Sequence, residues 1–513
     1  MGTKNKNKKG ISLIALIITI IVVIILAAII IITITKNNPV DSAKEATFKQ
    51  DVRSFQDELS MYVSNQIIQD TQGIREEITT VDMPSVKVMK EYIESFSSKY
   101  ENKLGIYKDE LVYYKPDNEV KNKVTDKEEK WLQDLGINKK VVETTEESFE
   151  WGSDDPNNSE YYTLKKFIGK ETDVIIPKRC HKIGNNAFER SNITSVKMQD
   201  GITYIGNSAF NVCSHLSEIK LPNTLIGMGQ MAFCNCSSLE YLELPESLEY
   251  LGDFNFSSCR KLKSIKIPDK VKTIPSCAFS GCDSLEEVIL PSNLGNIFNE
   301  TFEYCSSLKS IKLPDSVFYI ADSAFSKSAL ETINIPRNLT NLGSGVFSDC
   351  NNLKNITVDE NNSTYSSVDG VVYSKDGTTI VQYPSGKDGE SYKINDNVTN
   401  IADRAFFGVS KLKSITLGNN VKTIGEYSFM YCSNLTSINI PESVKEIKYN
   451  CFGVDTSLEH IYVPSTIEKM GSIVFHMCNN LVIDCGYNKD EIPSTWQKNW
   501  YGSAKSVNYG VKK

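Results

Sequence analysis

The sequence predicts a β-rich solenoid, a coil stack of about twelve 23-residue turns, preceded by a transmembrane helix and a small α/β module. Three observations predict it. Phenylalanines recur at 188, 210, 233, 256, 279, 302, 325 and 347 and again at 406, 429, 452 and 475, in steps of 22 or 23 residues broken once by a step of 59. Each opens a similar phrase, represented by Phe279, Cys282, Leu285, Val288, Leu290 and Pro291 in FSGCDSLEEVILP. Near the amino terminus, Ile11 to Thr35 is an unbroken stretch without a charged residue. Self-similarity at a fixed period of this size is the signature of stacked supersecondary units, each burying its apolar face against the next.

Length alone would suggest several globular domains, yet the period assigns most of the 513 residues to one elongated array. The formal net charge is −8, Lys and Arg are scattered through the repeats, and no basic block lies beyond the first nine residues, which argues against a nucleic-acid partner. Eight of the thirteen cysteines (213, 236, 259, 282, 305, 350, 432, 478) stand three residues after the repeat phenylalanine. Equivalent residues of stacked coils lie about 4.8 Å apart with parallel side-chain vectors, a poor geometry for a disulfide. They are expected to form a ladder of buried thiols acting as small hydrophobes.

Residues 1–10 form a basic leader carrying Lys4, Lys6, Lys8 and Lys9. The apolar run 11–35 is about 36 Å long as a helix, enough to span a bilayer. The lysine excess before it keeps the amino terminus cytoplasmic and places everything after Lys36 outside. Residues 36–73 extend this helix, with Phe48, Val52, Phe55, Leu59, Tyr62 and Ile67 on one face. Residues 74–142 read as a small mixed α/β module, in which KLGIYKDELVYY is a hairpin and KEEKWLQDLGI a short helix. Residues 143–159 have the acidic composition of a linker, with Phe149 and Trp151 as bulky anchors.

The solenoid is expected over 160–485. Alternation along each strand turns the residues 9 and 11 positions after the phenylalanine inward. Proline follows the strand at 177, 222, 245, 268, 291, 314, 336, 441 and 464, ending it and starting the return turn. Glycine four residues before the phenylalanine, at 184, 206, 229, 252, 343, 425 and 471, suits a tight bend. The turns starting at Phe188 and Phe325 are one residue short and carry Ser191 and Ser328 in place of the cysteine. The 59-residue step equals one turn plus 36 residues and holds a hairpin island, 359–395, with strands at Val371–Tyr373 and Thr379–Tyr383. Residues 486–513, with Trp496 and Trp500, read as a carboxyl-terminal cap.

Two resemblances follow from these motifs. The repeat resembles the BspA-type leucine-rich repeat of bacterial surface proteins, which implies a right-handed leucine-rich-repeat solenoid with a sheet on one side. It lacks the regular asparagine after the strand found in the commoner leucine-rich repeat. The segment KKG-ISLIALIITIIVVIILAAI resembles the amino terminus of type IV prepilins and pseudopilins. That resemblance implies leader cleavage after Gly10, leaving Ile11 first. The family usually carries a glutamate at the fifth mature position, where this chain has Ala15. A plain uncleaved signal anchor is the alternative on topology.

Catalysis, cofactor binding and a metal site are not expected. His181, His215, His460 and His476 each take a different phase of the repeat, so they do not stack in a row. The metal-like spacings Cys234/Cys236 and His476/Cys478 each use a cysteine of the buried ladder. Binding is expected instead on outward strand positions: Glu218, Lys220, Tyr241, Glu243 and Lys266, then Asn439, His460 and Tyr462 toward the carboxyl end. The alternating signs in the first group also read as a solvated ladder of weak ion pairs. Tyr365, Tyr373 and Tyr383 of the island are candidates either for recognition or for holding the island to the solenoid. The implied function is a membrane-anchored, externally displayed binding scaffold of the adhesin kind, meeting an extracellular protein or glycan. A minor pilin or pseudopilin subunit, assembled with pilin-type partners, is the alternative.

Overall fold

The computed structural model describes residues 39–69, a set of positions between 89 and 153, and residues 162–512. The leader, Gly10, Ile11 and the apolar run 11–35 lie outside them. Among the described residues no helix is long and apolar enough to cross a membrane. The chain divides into two compact units, Met1–Glu143 and Thr144–Lys513.

In the first unit the helix Pro39–Gln69 buries Phe48, Val52, Phe55 and Leu59, the face its helical spacing predicts. The Phe48 ring lies 5.5 Å from that of Trp131. Met89, Ile93, Leu132 and Leu135 are buried as well. The expected hairpin pairs Leu104–Tyr107 antiparallel with Glu110–Tyr114, and a third strand, Lys140–Val141, joins in parallel.

The second unit is the solenoid, and its amino-terminal edge falls inside the stretch read as linker. Residues Phe149–Ser153 form a strand antiparallel to Tyr162–Phe167, and Phe149 is buried against Phe167 at 5.7 Å. The guanidinium of Arg179 lies 4.4 Å from the Trp151 ring and 4.7 Å from the Tyr162 ring, and pairs with Glu146. An aromatic hairpin thus closes the open end of the stack, where acidic composition alone suggested a tether.

Each coil has three sides. The first carries strands such as Glu218–Lys220 and Ser264–Lys266, whose middle residue is buried between two outward ones. The second carries two-residue strands, among them Tyr204–Ile205, Gly227–Met228 and Tyr250–Leu251, paired in parallel from coil to coil. The sheet expected on one side is therefore matched by a second strip. It was hidden because each coil gives it only two residues, too few to show alternation.

The third side holds the phenylalanine. Amides of alternate residues donate to the next coil, as Ser208 to Gln230, Phe210 to Ala232 and Val212 to Cys234 at 2.7–2.8 Å. The residues two before and two after the phenylalanine turn left-handed, as at Ser208 (φ 55) and Val212 (φ 61). The glycines four residues before the phenylalanine do not serve that bend. None of Gly184, Gly206, Gly229, Gly252, Gly343, Gly425 and Gly471 has positive φ; a Cβ on Gly206 would meet the backbone carbon of Gly184 at 2.6 Å. In the coils that carry them, successive backbones approach too closely for a side chain, whereas Phe298, Ala321, Ala402 and Lys448 take the same phase in other coils and keep its hydrogen bond.

The rings form a stacked column with centroids 4.8–5.8 Å apart from Phe188 through Phe347. Phe167 begins it one coil earlier and Tyr383 fills the same place in the island, stacked 5.0 Å from Phe406. Trp500 closes it edge-on beneath Phe475 at 6.3 Å. With these three the array has about fifteen turns rather than twelve. The island is an enlarged coil and not an addition to one: Phe347 to Tyr383 is 36 residues, and Tyr383 to Phe406 is again 23. Its extra residues form the antiparallel strands Tyr365–Val368, Val371–Ser374 and Thr379–Gln382, the last rejoining the second strip. The core divides there, with Tyr365 and Val372 facing upstream and Val371, Tyr373 and Tyr383 facing downstream. The carboxyl-terminal cap is likewise a coil, since Ser506–Tyr509 extends the first strip in parallel with Val482–Cys485.

All thirteen cysteines are buried and unpaired by disulfides. Those of the ladder do more than fill space: each thiol donates to the phenylalanine carbonyl one coil back, as Cys236 to Phe210, Cys259 to Phe233 and Cys282 to Phe256, all at 3.2 Å. In the two short turns the serine hydroxyl sits against the next thiol, Ser191 with Cys213 and Ser328 with Cys350 at 3.4 Å.

Candidate functional site

The outward positions of the first strip present their side chains to solvent over a core that holds the backbone rigid. Glu218, Lys220, Tyr241, Glu243 and Lys266 fall on three successive coils and form one surface. Tyr241 is 60% exposed, with the Lys263 ammonium 5.2 Å from its ring. Beside it lies a groove of about 420 Å³, lined by Tyr241, Glu243 and Lys266 together with Glu246 and Ile289. Ile289 is not among the expected contacts, although it is 49% exposed and is an apolar residue between Lys266 and Lys312 in its row. That break in polarity was the available signal.

The ion pairs do not follow the row that sequence suggested. Lys266 pairs with Glu246 in the return turn at 2.6 Å, and the coil-to-coil pair lies one face over, Lys263 with Glu240 at 2.9 Å. These groups are exposed, so the pairs orient the side chains and contribute little to stability.

Asn439, His460 and Tyr462 form a separate patch, seven coils beyond Lys266, or roughly 34 Å at strand spacing. Asn439 is half-buried and bonds the preceding coil, its Oδ1 accepting from the Leu417 amide at 2.8 Å. His460 Nε2 meets Asp484 Oδ2 at 2.8 Å, and Asn508 Nδ2 donates to Asp484 Oδ1 at 2.8 Å. The Asn508 amide, with His460 behind it, holds the Asp484 carboxyl below the ordinary carboxylate range.

The island tyrosines are not surface residues. Tyr365, Tyr373 and Tyr383 are 9%, 8% and 1% exposed, which removes them from any recognition surface. The Tyr365 hydroxyl accepts from the Leu342 amide at 3.0 Å, and those of Tyr373 and Tyr392 meet at 2.7 Å. Their amphipathic rings hold the island to the stack. Among the described residues no three of His, Cys, Asp and Glu converge as a metal-binding set.

A stack of coils with a short parallel strand per turn and an inward leucine, isoleucine and phenylalanine column defines a leucine-rich-repeat solenoid. The model of the BspA type leucine rich repeat region matches residues 166–286, 272–369 and 385–495 in six copies. The chain belongs to that family. Among solved structures it is similar to a leucine rich cell surface protein from Faecalibacterium prausnitzii, at 25% identity and a TM-score of 0.54, over 72% of this chain and 95% of that one. A leucine-rich repeat protein from Bacteroides ovatus is 25% identical, with a TM-score of 0.45 over 70% of this chain and 98% of that one. The pneumococcal vaccine antigen PcpA is 21% identical, with a TM-score of 0.43 over 72% and 85%. No curated protein matches the chain.

Proposed function

We propose that the chain is an externally displayed binding scaffold of the adhesin kind, anchored in a membrane by residues 11–35 and meeting an extracellular protein or glycan through the first strip. The observation that carries this reading is the groove at Tyr241, Glu243, Lys266 and Ile289, where an exposed aromatic ring and an exposed aliphatic chain stand between fixed charges of both signs. An aromatic anchor surrounded by polar groups is what partner recognition concentrates energy on. The similarity to a cell surface protein from Faecalibacterium prausnitzii supports the outward placement.

Proteolysis of intact cells should remove the repeats, and repeats that stay protected would overturn the orientation. An array of matrix proteins and glycans probed with the full chain should give hits that weaken at least tenfold in Tyr241→Ala. Hits indifferent to that substitution would exclude the first-strip groove.

A second reading, a minor pilin or pseudopilin subunit, rests on KKG before Ile11 and the apolar run that follows. It requires an amino terminus at Ile11 and the chain in sheared filaments; a chain that retains Met1 or Gly2 in the membrane fraction excludes it.

A further inference from the structure

The second strip is interrupted at the island and once more upstream, between Tyr250–Leu251 and Thr273–Ile274, where no insertion intervenes and a single residue accounts for the break. Elsewhere the amide at the glycine phase of the phrase donates to the apolar carbonyl one coil back: Gly229 to Ile205, Gly252 to Met228, Phe298 to Ile274 and Ala321 to Ile297, at 2.8–3.0 Å. At the coil between, this phase is Pro275, which has no amide hydrogen. Among the described residues no backbone amide donates to the carbonyls of Leu251 or Glu249, which face this seam. Space acts in the same direction. Where glycine holds this phase the backbones approach so closely that a Cβ on Gly252 would lie 2.4 Å from the backbone of Gly229, and the next coil brings a whole pyrrolidine ring. The strands Tyr250–Leu251 and Thr273–Ile274 accordingly belong to different sheets, one ending and the other beginning at this seam.

A groove of about 540 Å³ lies there. Tyr250 and Phe298, 54% and 37% exposed, are its aromatic walls. Its polar lining is Glu249, Asp253, Lys272, Thr273, Ser276 and the bare carbonyls; the Lys272 ammonium donates to the Asp269 carbonyl at 3.1 Å, so acceptors still outnumber donors. Such a lining calls for a ligand rich in hydroxyl donors with an apolar face to lay on a ring. The carboxylates disfavour an acidic ligand. An added peptide strand fits poorly, because the bare edge is two residues long and Pro275 opposite it supplies no donor.

We propose that the Pro275 seam is a saccharide-binding groove for a neutral hexopyranose unit, whose ring face packs on Tyr250 or Phe298. Its hydroxyls donate to the carbonyls of Glu249 and Leu251 and to the Asp253 carboxylate. This groove lies on a different strip from the Tyr241 surface, so either reading stands or falls without the other.

The test is saturation-transfer NMR and calorimetry on the full chain with cellotetraose, chitotetraose, mannotetraose and, as the acidic counterpart, tetragalacturonate. At least one neutral tetraose should bind, and Tyr250→Ala and Phe298→Ala should each weaken it at least tenfold. Pro275→Gly restores the donor and the clearance; it should weaken binding at least tenfold while the melting temperature stays or rises. Tyr431→Ala, an exposed ring outside the groove, should leave affinity within twofold. The proposal is overturned by no binding of any neutral tetraose, by tighter binding of tetragalacturonate, or by an unchanged affinity in Pro275→Gly.

Discussion

Replacing Phe279 with alanine removes a ring that is wholly buried and stacked on both faces, 5.4 Å from Phe256 and 5.5 Å from Phe302. Deletion of a buried phenylalanine side chain costs about 3–5 kcal/mol, depending on how far the site can collapse. Collapse is restricted here. The Phe279 amide is tied to the Thr301 carbonyl at 2.9 Å, and the Cys282 thiol to the Phe256 carbonyl at 3.2 Å, so neighbouring coils cannot close on the void. Two aromatic contacts are also lost, each worth about 0.5–1.5 kcal/mol beyond buried area. The expected loss is therefore in the upper half of the range, about 4–5 kcal/mol. Long repeat arrays need not unfold in one step, so the measurement should be local. Hydrogen exchange of the Phe256 amide and of the amide at position 279, in the full chain with and without the substitution, reads the seams on either side of that coil. A loss below about 0.5 kcal/mol, the scale of an ordinary surface change, would refute the stacked-column argument.

Four further outcomes are expected. Asp455 occupies the ladder position between Cys432 and Cys478, is fully buried, and has neither carboxylate oxygen bonded among the described residues. Burial raises its pKa well above the ordinary range. Above about pH 4 the unfolded chain has therefore lost a proton that the folded chain keeps, and stability falls with rising pH toward the folded pKa. Asp455→Cys should remove that slope and add about 1–3 kcal/mol at pH 7 in urea titrations; a slope equal to that of the unmodified chain would contradict it. The thirteen thiols should resist an aromatic disulfide reagent at pH 8 until the chain is unfolded, because all are buried and burial pushes Cys180 and Cys478 up to about 12; prompt reaction of several would show an open stack. Tyr365→Phe strands the Leu342 amide and should cost about 1–3 kcal/mol, read from exchange of the island amides, whereas no change would mean that water replaces the hydroxyl. Lys266→Ala should leave stability within about 0.5 kcal/mol, since its pair with Glu246 is solvated; a larger change in melting would mean that the pair is structural.

The period made the inward residues legible because identical neighbours on both sides demand identical packing. Phe279, Cys282, Leu285 and Val288 are buried as their recurrence required. It misled wherever a different residue type met the same demand. Phe167, Tyr383 and Trp500 fill the phenylalanine place, yet their flanking spacings differ, so three coils went uncounted and the island was read as an insertion of its own. Acidic composition between 143 and 159 concealed a capping strand, because a strand at the end of a stack needs only one apolar face, and Phe149 and Trp151 supply it. The glycines were recognised but given the wrong cause. Their phase is set by contact with another coil, which no local turn rule contains.

The binding surfaces were only partly legible for a related reason. A regular array makes its core by repetition, so what distinguishes one coil from the next lies in the departures from the repeat. Ile289 interrupts a row of charges, Asp455 interrupts the thiols, and Pro275 interrupts both the amide ladder and the close approach of backbones. The first opens an apolar contact on the first strip, the second leaves an unbonded acid in the core, and the third leaves carbonyls of the preceding coil unpaired. Departures of this kind cost stability at the coil that carries them, and neighbouring coils can bear it because each interface contributes separately to the stack. A solenoid can thus hold a ligand groove beside an intact core, where a compact domain would need to rearrange its packing to do so.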